Sequence, residues 1–284
     1  MALSSKMGST PSRQAFVTIA AWVVGIAFIL PLVWMLTGSF RDKGELFASV
    51  YPLSWGILVP ETLTLENYEN LFAGPFGRSV FNSIFVTAVS VIVGLLLSAM
   101  AAFALAKIPF RGAGVLFVAI VLSFLVPFDA IAVPLANIFR EWGLANTYAG
   151  LILPGVANGL AVFALRQFFL GVPDELAEAA RMDGLSWWGI FWRIYLPLSR
   201  PALIGAGFIL FLFQWSAYLW PLLIATKSSV MLGPIALSTL ATQQSVDFGA
   251  IFAGAVFLTL VPLILLLVFQ KHFTASLAST GSKG

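Results

Sequence analysis

Six long apolar stretches, almost free of charged residues, constrain the fold of this 284-residue chain more than any other feature. A helix needs about 20 apolar residues to cross the roughly 30 Å hydrocarbon core of a bilayer. Because backbone groups in lipid have to be hydrogen-bonded within their own segment, each stretch is predicted to be a helix. The predicted spans are residues 16–36, 79–106, 113–138, 143–165, 201–225 and 248–270. The sequence therefore predicts an all-α polytopic membrane protein with six transmembrane helices.

Several prolines lie inside these spans and bear on their shape. They are expected to kink the helices without breaking them, because neighbouring helices can bond the freed carbonyl groups. These prolines are Pro31, Pro127, Pro134, Pro154, Pro221 and Pro262.

The composition excludes several other classes of protein. Only 10% of the residues are charged, against about 25% in a soluble globular domain, so the chain cannot surround a core with a charged surface. The absence of cysteine excludes disulfides and cysteine nucleophiles, and a single histidine excludes a multi-histidine metal site. The net charge is only +3, and its distribution between the loops explains it without nucleic acid as a partner.

The lysine and arginine residues are distributed unevenly between the loops, which indicates how the chain is oriented in the membrane. Ten of the fifteen lie in the tail at 1–15, the loop at 107–111, the segment 166–200 and the tail at 271–284. These segments are predicted to be cytoplasmic, so that a transmembrane domain at 16–270 lies between two cytoplasmic tails. The long connection Thr37–Arg78 is predicted to be an ordered external cap.

The cytoplasmic segment 166–200 predicts two helices joined by a tight turn. Asp174 is expected to cap the first helix, and Gly184 to end it in a left-handed conformation. Ser186 is expected to cap a second helix, which Pro197 ends.

The first helix of this segment has a surface suited to contact with another protein. Ala177, Ala179 and Ala180 are expected to form a bare face that a partner could approach closely. Glu178 and Arg181 on its rim are spaced for an ion pair. From the residues alone, a surface hairpin that only closes a loop is an equally good interpretation.

A motif in this segment carries a specific resemblance. The sequence has Glu178-Ala179-Ala180, then Gly184, then Ile194, then Leu196-Pro197. This spacing resembles the EAA loop in the permease subunits of binding-protein-dependent ABC importers. Further motifs are similar to the carbohydrate branch, which includes the maltose and glycerol-phosphate permeases. They are Glu66-Asn67-Tyr68, Gly150-Leu151-Ile152-Leu153-Pro154, Pro173-Asp174-Glu175-Leu176, Asp183-Gly184 and Leu219-Trp220-Pro221-Leu222-Leu223.

The resemblance implies a type I importer permease with a cytoplasmic coupling helix that docks on an ATPase subunit. The implied coupling residues are Glu175, Glu178, Ala179, Ala180, Arg181, Asp183 and Gly184. The chain lacks a phosphate-binding loop of the nucleotide-binding type, so ATP and magnesium are expected on two partner ATPase subunits. No cofactor, metal or catalytic residue is expected in the chain itself.

The resemblance also implies the other partners and the location. A second permease subunit would complete the translocation path for a sugar or sugar-like solute, and the resemblance favours a homologue over a second copy of this chain. A solute-binding protein would deliver the solute to the outer face, formed by Thr37–Arg78 and Lys227–Asp247. The implied location is the inner membrane of a bacterium or an archaeon. The branch commonly has Trp-Asn where this chain has Trp215-Ser216, which leaves the identity of the solute open.

Polar and aromatic residues inside the spans are candidates for the solute path. The candidates are Asn82, Asp129, Gln214, Trp215 and Tyr218, with Asn137, Asn158 and Trp220 as further members. A charge at membrane depth is costly, so Asp129 is expected to face the bundle interior or water. Each candidate also has a structural alternative. Asp129 could be satisfied by a neighbouring helix, and the tryptophans could pack in the core or form an interfacial belt.

Two other functions compete with import driven by a partner ATPase. An ion-coupled secondary transporter usually has internal repeats and several intramembrane charges, whereas only Asp129 lies within these spans. An intramembrane enzyme would need a cluster of histidine, cysteine or paired acids in the spans, which the sequence lacks.

Overall fold

The computed structural model describes residues 11–42, 45–46, 56, 59, 62–241 and 246–281, with side chains omitted at 11–12 and 271–281. Within these ranges the regular secondary structure is helical, and no strand occurs. The prediction of an all-α fold is therefore confirmed. Part of the predicted external cap Thr37–Arg78 and part of Lys227–Asp247 lie outside the described residues.

The described residues form fourteen α-helices. They are α1 (Pro11–Gly38), α2 (Glu66–Ala73), α3 (Phe76–Lys107), α4 (Ala113–Leu125), α5 (Phe128–Glu141), α6 (Tyr148–Ile152), α7 (Gly159–Leu170), α8 (Glu175–Met182), α9 (Trp187–Ile190), α10 (Leu196–Leu198), α11 (Arg200–Trp215), α12 (Leu219–Ile224), α13 (Gly233–Ala241) and α14 (Phe248–Gly281). A 3-10 turn (Leu153–Val156) extends α6, and a π-helical turn (Phe191–Tyr195) joins α9 to α10.

The described helices can supply as many as six membrane spans. Three are long and apolar enough on their own, in α1, α3 and the first part of α14. Three more arise if each of three bent helix pairs is one span, with bends of 93° between α4 and α5, 41° between α6 and α7, and 82° between α9–α10 and α11. The predicted fifth span, 201–225, falls on α11 and α12, which are separated at residues 216–218.

The prolines do not all behave as predicted. Pro31, Pro134 and Pro262 lie inside intact helices, as expected. The prediction is wrong at Pro127, because α4 ends before it and α5 starts after it at an angle of 93°. The helical conformation is disfavoured for the residue before a proline, and Val126 is extended, with φ −72° and ψ 119°.

The chain divides into two compact units. The first comprises residues 11–73 and 240–257 within the described ranges. Its centre is the buried Asn67, which donates hydrogen bonds to the carbonyl oxygens of Ser39 (3.0 Å) and Arg41 (2.7 Å). These bonds hold α2 against the chain that follows α1.

The second unit comprises residues 74–239 and the chain from 258 onward, and α3 runs through its core. Small residues let α3 approach its neighbours closely, as is usual between membrane helices. A Cβ added to Gly94 would lie 3.2 Å from the Cα and the carbonyl oxygen of Val156. Further along α3, Ala99 and Ala102 are fully buried against α7 and α11.

Candidate functional site

A cavity of about 560 Å³ lies in the second unit where three helix breaks meet. The breaks fall at Val126–Pro127, at Ala157–Asn158 and at residues 216–218. Residues at or beside all three line the cavity, namely Val126, Pro127, Ala157, Asn158, Gln214 and Ala217. Irregular backbone at membrane depth is tolerated where it is buried in protein or lines a water-filled space. The convergence of the breaks therefore marks this cavity as the candidate site.

Two amide side chains supply polarity to the cavity. Asn158 caps α7, because its Oδ1 accepts a hydrogen bond from the backbone nitrogen of Ala161 (3.0 Å), while its amide nitrogen donates to no described residue. Gln214 lies beside Gly155, where an added Cβ would overlap its Oε1. Its side-chain amide forms no hydrogen bond with the part of the chain that the structure describes. Both amides are therefore available to a polar ligand.

Aromatic rings form the apolar walls of the cavity. Trp220 donates its Nε1–H to the carbonyl oxygen of Gly150 (3.0 Å), which fixes the ring. Its ring packs edge-on against Phe139 and Phe128, with centroids 5.1 and 5.7 Å away. Phe128, Phe213 and Trp220 face the cavity. A site of rigid aromatic faces with the free amide of Gln214 and the free NH2 group of Asn158 can bind a solute that has both apolar surface and hydroxyl groups.

Asn82 and Trp215, which are predicted to lie on the solute path, form hydrogen bonds within the protein. Asn82 is fully buried, donates from Nδ2 to the carbonyl oxygens of Ser229 and Met231, and accepts at Oδ1 from the Tyr148 hydroxyl. The Nε1–H of Trp215 donates to the carbonyl oxygen of Leu258 (3.1 Å). Neither lines the cavity, because both side chains are used to join segments of the protein.

The remaining candidates lie beside the cavity but outside its lining. Asp129 is exposed in the first turn of α5, between the lining residues Phe128 and Ile131. Tyr218 is 45% exposed at the third break. Asn137 is exposed and accepts a hydrogen bond from Arg140 (2.9 Å). Asp129 and Tyr218 stay predictions, and the lining aromatic residues Phe124, Phe128 and Phe213 were not predicted, because nothing distinguishes them from the other phenylalanines in the sequence.

The second candidate site is a helical hairpin, residues 173–198, which has the predicted helix-turn-helix structure. Gly184 ends α8 with φ +83°, and its backbone nitrogen donates to the carbonyl oxygen of Arg181 (3.0 Å). The nitrogen of Leu185 donates to the carbonyl oxygen of Ala180 (3.0 Å), which completes a Schellman motif. Ser186 then caps α9 by accepting from the nitrogen of Gly189. These local predictions are confirmed.

Three predicted details of the hairpin are wrong. Asp174 makes no capping bond and instead pairs with Lys107 (2.5 Å). Arg181 forms no ion pair with Glu178 among the described residues, because its guanidinium lies over the Trp187 ring, 4.8 Å from the centroid.

The third wrong detail is the alanine face of α8. Ala177 and Ala180 are each only 6% exposed and pack into the protein's own core. Helical periodicity leaves Leu176, Ala179 and Met182 on the opposite face. Met182 is 90% exposed. The acidic residues Glu175, Glu178 and Asp183 are also exposed and surround this apolar stripe.

These features define the class of the protein. An all-helical chain with as many as six apolar spans, a cavity at broken helices and a structured hairpin between spans is a membrane transport component. A family model described as "Binding-protein-dependent transport system inner membrane component" matches residues 94–279, and the chain belongs to that family. It is therefore an inner-membrane component of a transport system that depends on a solute-binding protein.

Similar proteins cover nearly the whole chain. The arabinooligosaccharides transport system permease protein AraQ of Halalkalibacterium halodurans is 35% identical over 282 residues, covering 98% of this chain and 100% of that protein. The trehalose transport system permease protein SugB of Mycobacterium tuberculosis is 33% identical, covering 92% and 94%. The sn-glycerol-3-phosphate transport system permease protein UgpE of Escherichia coli is 34% identical, covering 91% and 94%.

A solved structure agrees in fold. It is a crystal structure of a bacterial ABC transporter involved in the import of the acidic polysaccharide alginate. It matches with a TM-score of 0.78 and 22% identity, covering 93% of this chain and 99% of that one. The predicted resemblance and the importer permease fold are confirmed by these comparisons.

Proposed function

We propose that this chain forms half of the translocation path of an ATP-driven importer for a sugar or sugar-like solute. The observation that carries the proposal is the cavity at the three helix breaks. Its volume, about 560 Å³, lies within the range of small-molecule sites, roughly 300–1,000 Å³. The names of three relatives refer to arabinooligosaccharides, trehalose and sn-glycerol-3-phosphate, which supports a carbohydrate solute.

The chemistry of the cavity suits such a solute. A sugar ring has apolar C–H faces, which would pack against Phe128, Phe213 and Trp220. Its hydroxyl groups would accept from the NH2 group of Asn158, and they would both accept from and donate to the Gln214 amide. A second permease subunit, a homologue, would supply the opposite wall.

Energy would enter through α8. Its exposed stripe, Leu176, Ala179 and Met182, would dock in a cleft of a cytoplasmic ATPase subunit. Glu175, Glu178, Arg181 and Asp183 would orient the contact, and Gly184 would set the direction of the helix. Ala180 would act from the inner face, by packing α8 on the core. Two ATPase subunits would bind the ATP and magnesium, and this chain would hydrolyse nothing.

The same proposal places the hairpin and both termini in the cytoplasm. The excess of lysine and arginine in these segments supports this orientation. A partner can shift the equilibrium of the cavity only through a contact that differs between its open and closed states. Docking on α8 would be that contact.

The test is transport by the complete complex in proteoliposomes, with the solute-binding protein supplied outside. Gln214→Leu should reduce sugar uptake about two- to tenfold, because it removes a hydrogen bond to the solute worth about 0.5–1.5 kcal/mol. Gln167→Leu is the matched control, since Gln167 is exposed on α7 outside the cavity. Uptake driven by an ion gradient without ATP would overturn the proposal.

A further inference from the structure

Lys107, the last residue of α3, holds the base of the hairpin by a buried charge. Its side chain is only 4% exposed. Its ammonium group donates to the carbonyl oxygen of Val172 (2.6 Å) and to Oδ1 of Asp174 (2.5 Å). A buried ammonium needs such partners, because desolvation without them is costly. The end of α3 is therefore fastened to the residues that immediately precede α8.

Phe103, one turn earlier on α3, reaches the other arm of the hairpin. Its ring lies 6.2 Å from Trp187, 5.4 Å from Phe191 and 4.9 Å from Tyr195, measured between centroids. It also contacts Phe169 at the end of α7, at 6.1 Å. Residues four apart share one face of a helix. One face of α3 therefore contacts both arms of the hairpin, the first through Lys107 and the second through Phe103.

The middle of α3 touches the cavity wall. Gly94 lies against the backbone of Val156, and Ser90 lies beside Gly155, which in turn contacts Gln214. Gly94 and Lys107 are 13 positions apart, which is about 20 Å along a helix. No break or proline interrupts α3 between them. A displacement of the cytoplasmic end of α3 would therefore be transmitted along the helix to the cavity.

The connectivity of the chain explains why α3 needs these contacts to move with the hairpin. α7 enters the hairpin and α11 leaves it, so both are joined to it covalently. α3 continues into α4 instead and is bound to the hairpin only by side-chain contacts. We infer that Lys107 and Phe103 are positioning residues that make α3 move with the hairpin, together with α7 and α11. This inference rests on the proposed docking of α8 on an ATPase subunit.

The experiment separates coupling from docking. The complete complex is reconstituted, and sugar uptake, ATP hydrolysis and co-purification of the ATPase subunits are measured for each variant. Lys107→Met should leave docking and hydrolysis near the wild-type values and raise the ATP consumed per sugar by about tenfold, within the range of typical site couplings. Lys107→Arg should restore coupling, because a guanidinium can reach the same acceptors. Arg111→Met is the matched control, an exposed basic residue four positions further along the chain.

Two further variants keep the test decisive. Phe103→Leu should also raise the ATP consumed per sugar, with the ammonium still in place. Asp174→Asn combined with Lys107→Met should add nothing to Lys107→Met alone, since the two residues form one contact. Wild-type stoichiometry in both Lys107→Met and Phe103→Leu would overturn the inference, as would independent effects at 107 and 174. A wild-type complex that binds no ATPase subunit would instead overturn the proposed function.

Discussion

Replacing Gly184 with valine isolates the effect of one backbone conformation on coupling. Gly184 has φ +83° and ends α8 in the turn that separates the two arms of the hairpin. An added Cβ at this position would meet no atom within 4 Å. The added Cβ therefore meets no neighbouring atom, and the expected cost is that of the backbone conformation.

The size of that cost follows from the conformation. An L-residue in the left-handed region costs about 1–2 kcal/mol relative to glycine, and a β-branched residue is the least tolerated there. A cost of this size lowers the equilibrium constant of the native turn against its alternatives by about 5–30-fold. Because the two backbone bonds from Gly184 and Leu185 depend on this turn, α8 would lose its C-terminal cap and its defined direction.

The assay compares sugar uptake and ATP hydrolysis in the reconstituted complex, with membrane insertion measured separately. Gly184→Val should insert normally but lose most uptake and the stimulation of hydrolysis by the solute. Gly184→Asn should retain uptake, because asparagine tolerates the left-handed region. Gly114→Val is the control, since Gly114 also has open space around its Cβ but an ordinary φ. Normal coupled uptake in Gly184→Val, or equal loss in the asparagine variant, would refute the reasoning.

Two more predictions follow from the structure. Ala179→Trp should prevent co-purification of the ATPase subunits while the permease folds normally, because Ala179 is exposed in the stripe proposed to dock. Retention of these subunits would contradict the proposed docking surface. Asn82→Ala should lower the free energy of unfolding by about 1–3 kcal/mol, because it leaves buried carbonyl groups without donors. Thermal melting measures this loss, and a change in solute preference instead would indicate that Asn82 is a ligand.

The hairpin was predictable from sequence because its signals are local. The left-handed turn at Gly184 and the cap at Ser186 depend on backbone groups within five residues of each other. The long apolar helices α1, α3 and the first part of α14 were predictable for a similar reason, since the length of an uncharged stretch is read directly from the chain. Local signals and apolar length therefore account for the correct part of the fold prediction.

Partners that sequence spacing does not indicate account for two of the errors in the hairpin. The sequence favours Asp174 as a helix cap, but the carboxylate bonds Lys107, which lies 67 positions earlier. In the same way, Arg181 is spaced to pair with Glu178 but lies over Trp187. A charged side chain can interact either with a solvated neighbour in sequence or with a buried ammonium or an aromatic ring. Sequence spacing does not show which of these partners is near.

The polar residues of the spans show most clearly that packing, and not local sequence, decides the role of a side chain. Asn82, Asn158 and Gln214 are all amides within apolar stretches, and nothing in their local sequence separates a structural amide from one that can bind a solute. The difference lies in where the backbone is irregular. Asn82 lies in the unbroken helix α3, and its three hydrogen bonds join that helix to other segments. Asn158 and Gln214 lie at helix breaks, where packing leaves a cavity and amide groups free. Since lipid does not tolerate irregular backbone, helix breaks that face one another are stronger evidence for a solute path than the residue types are.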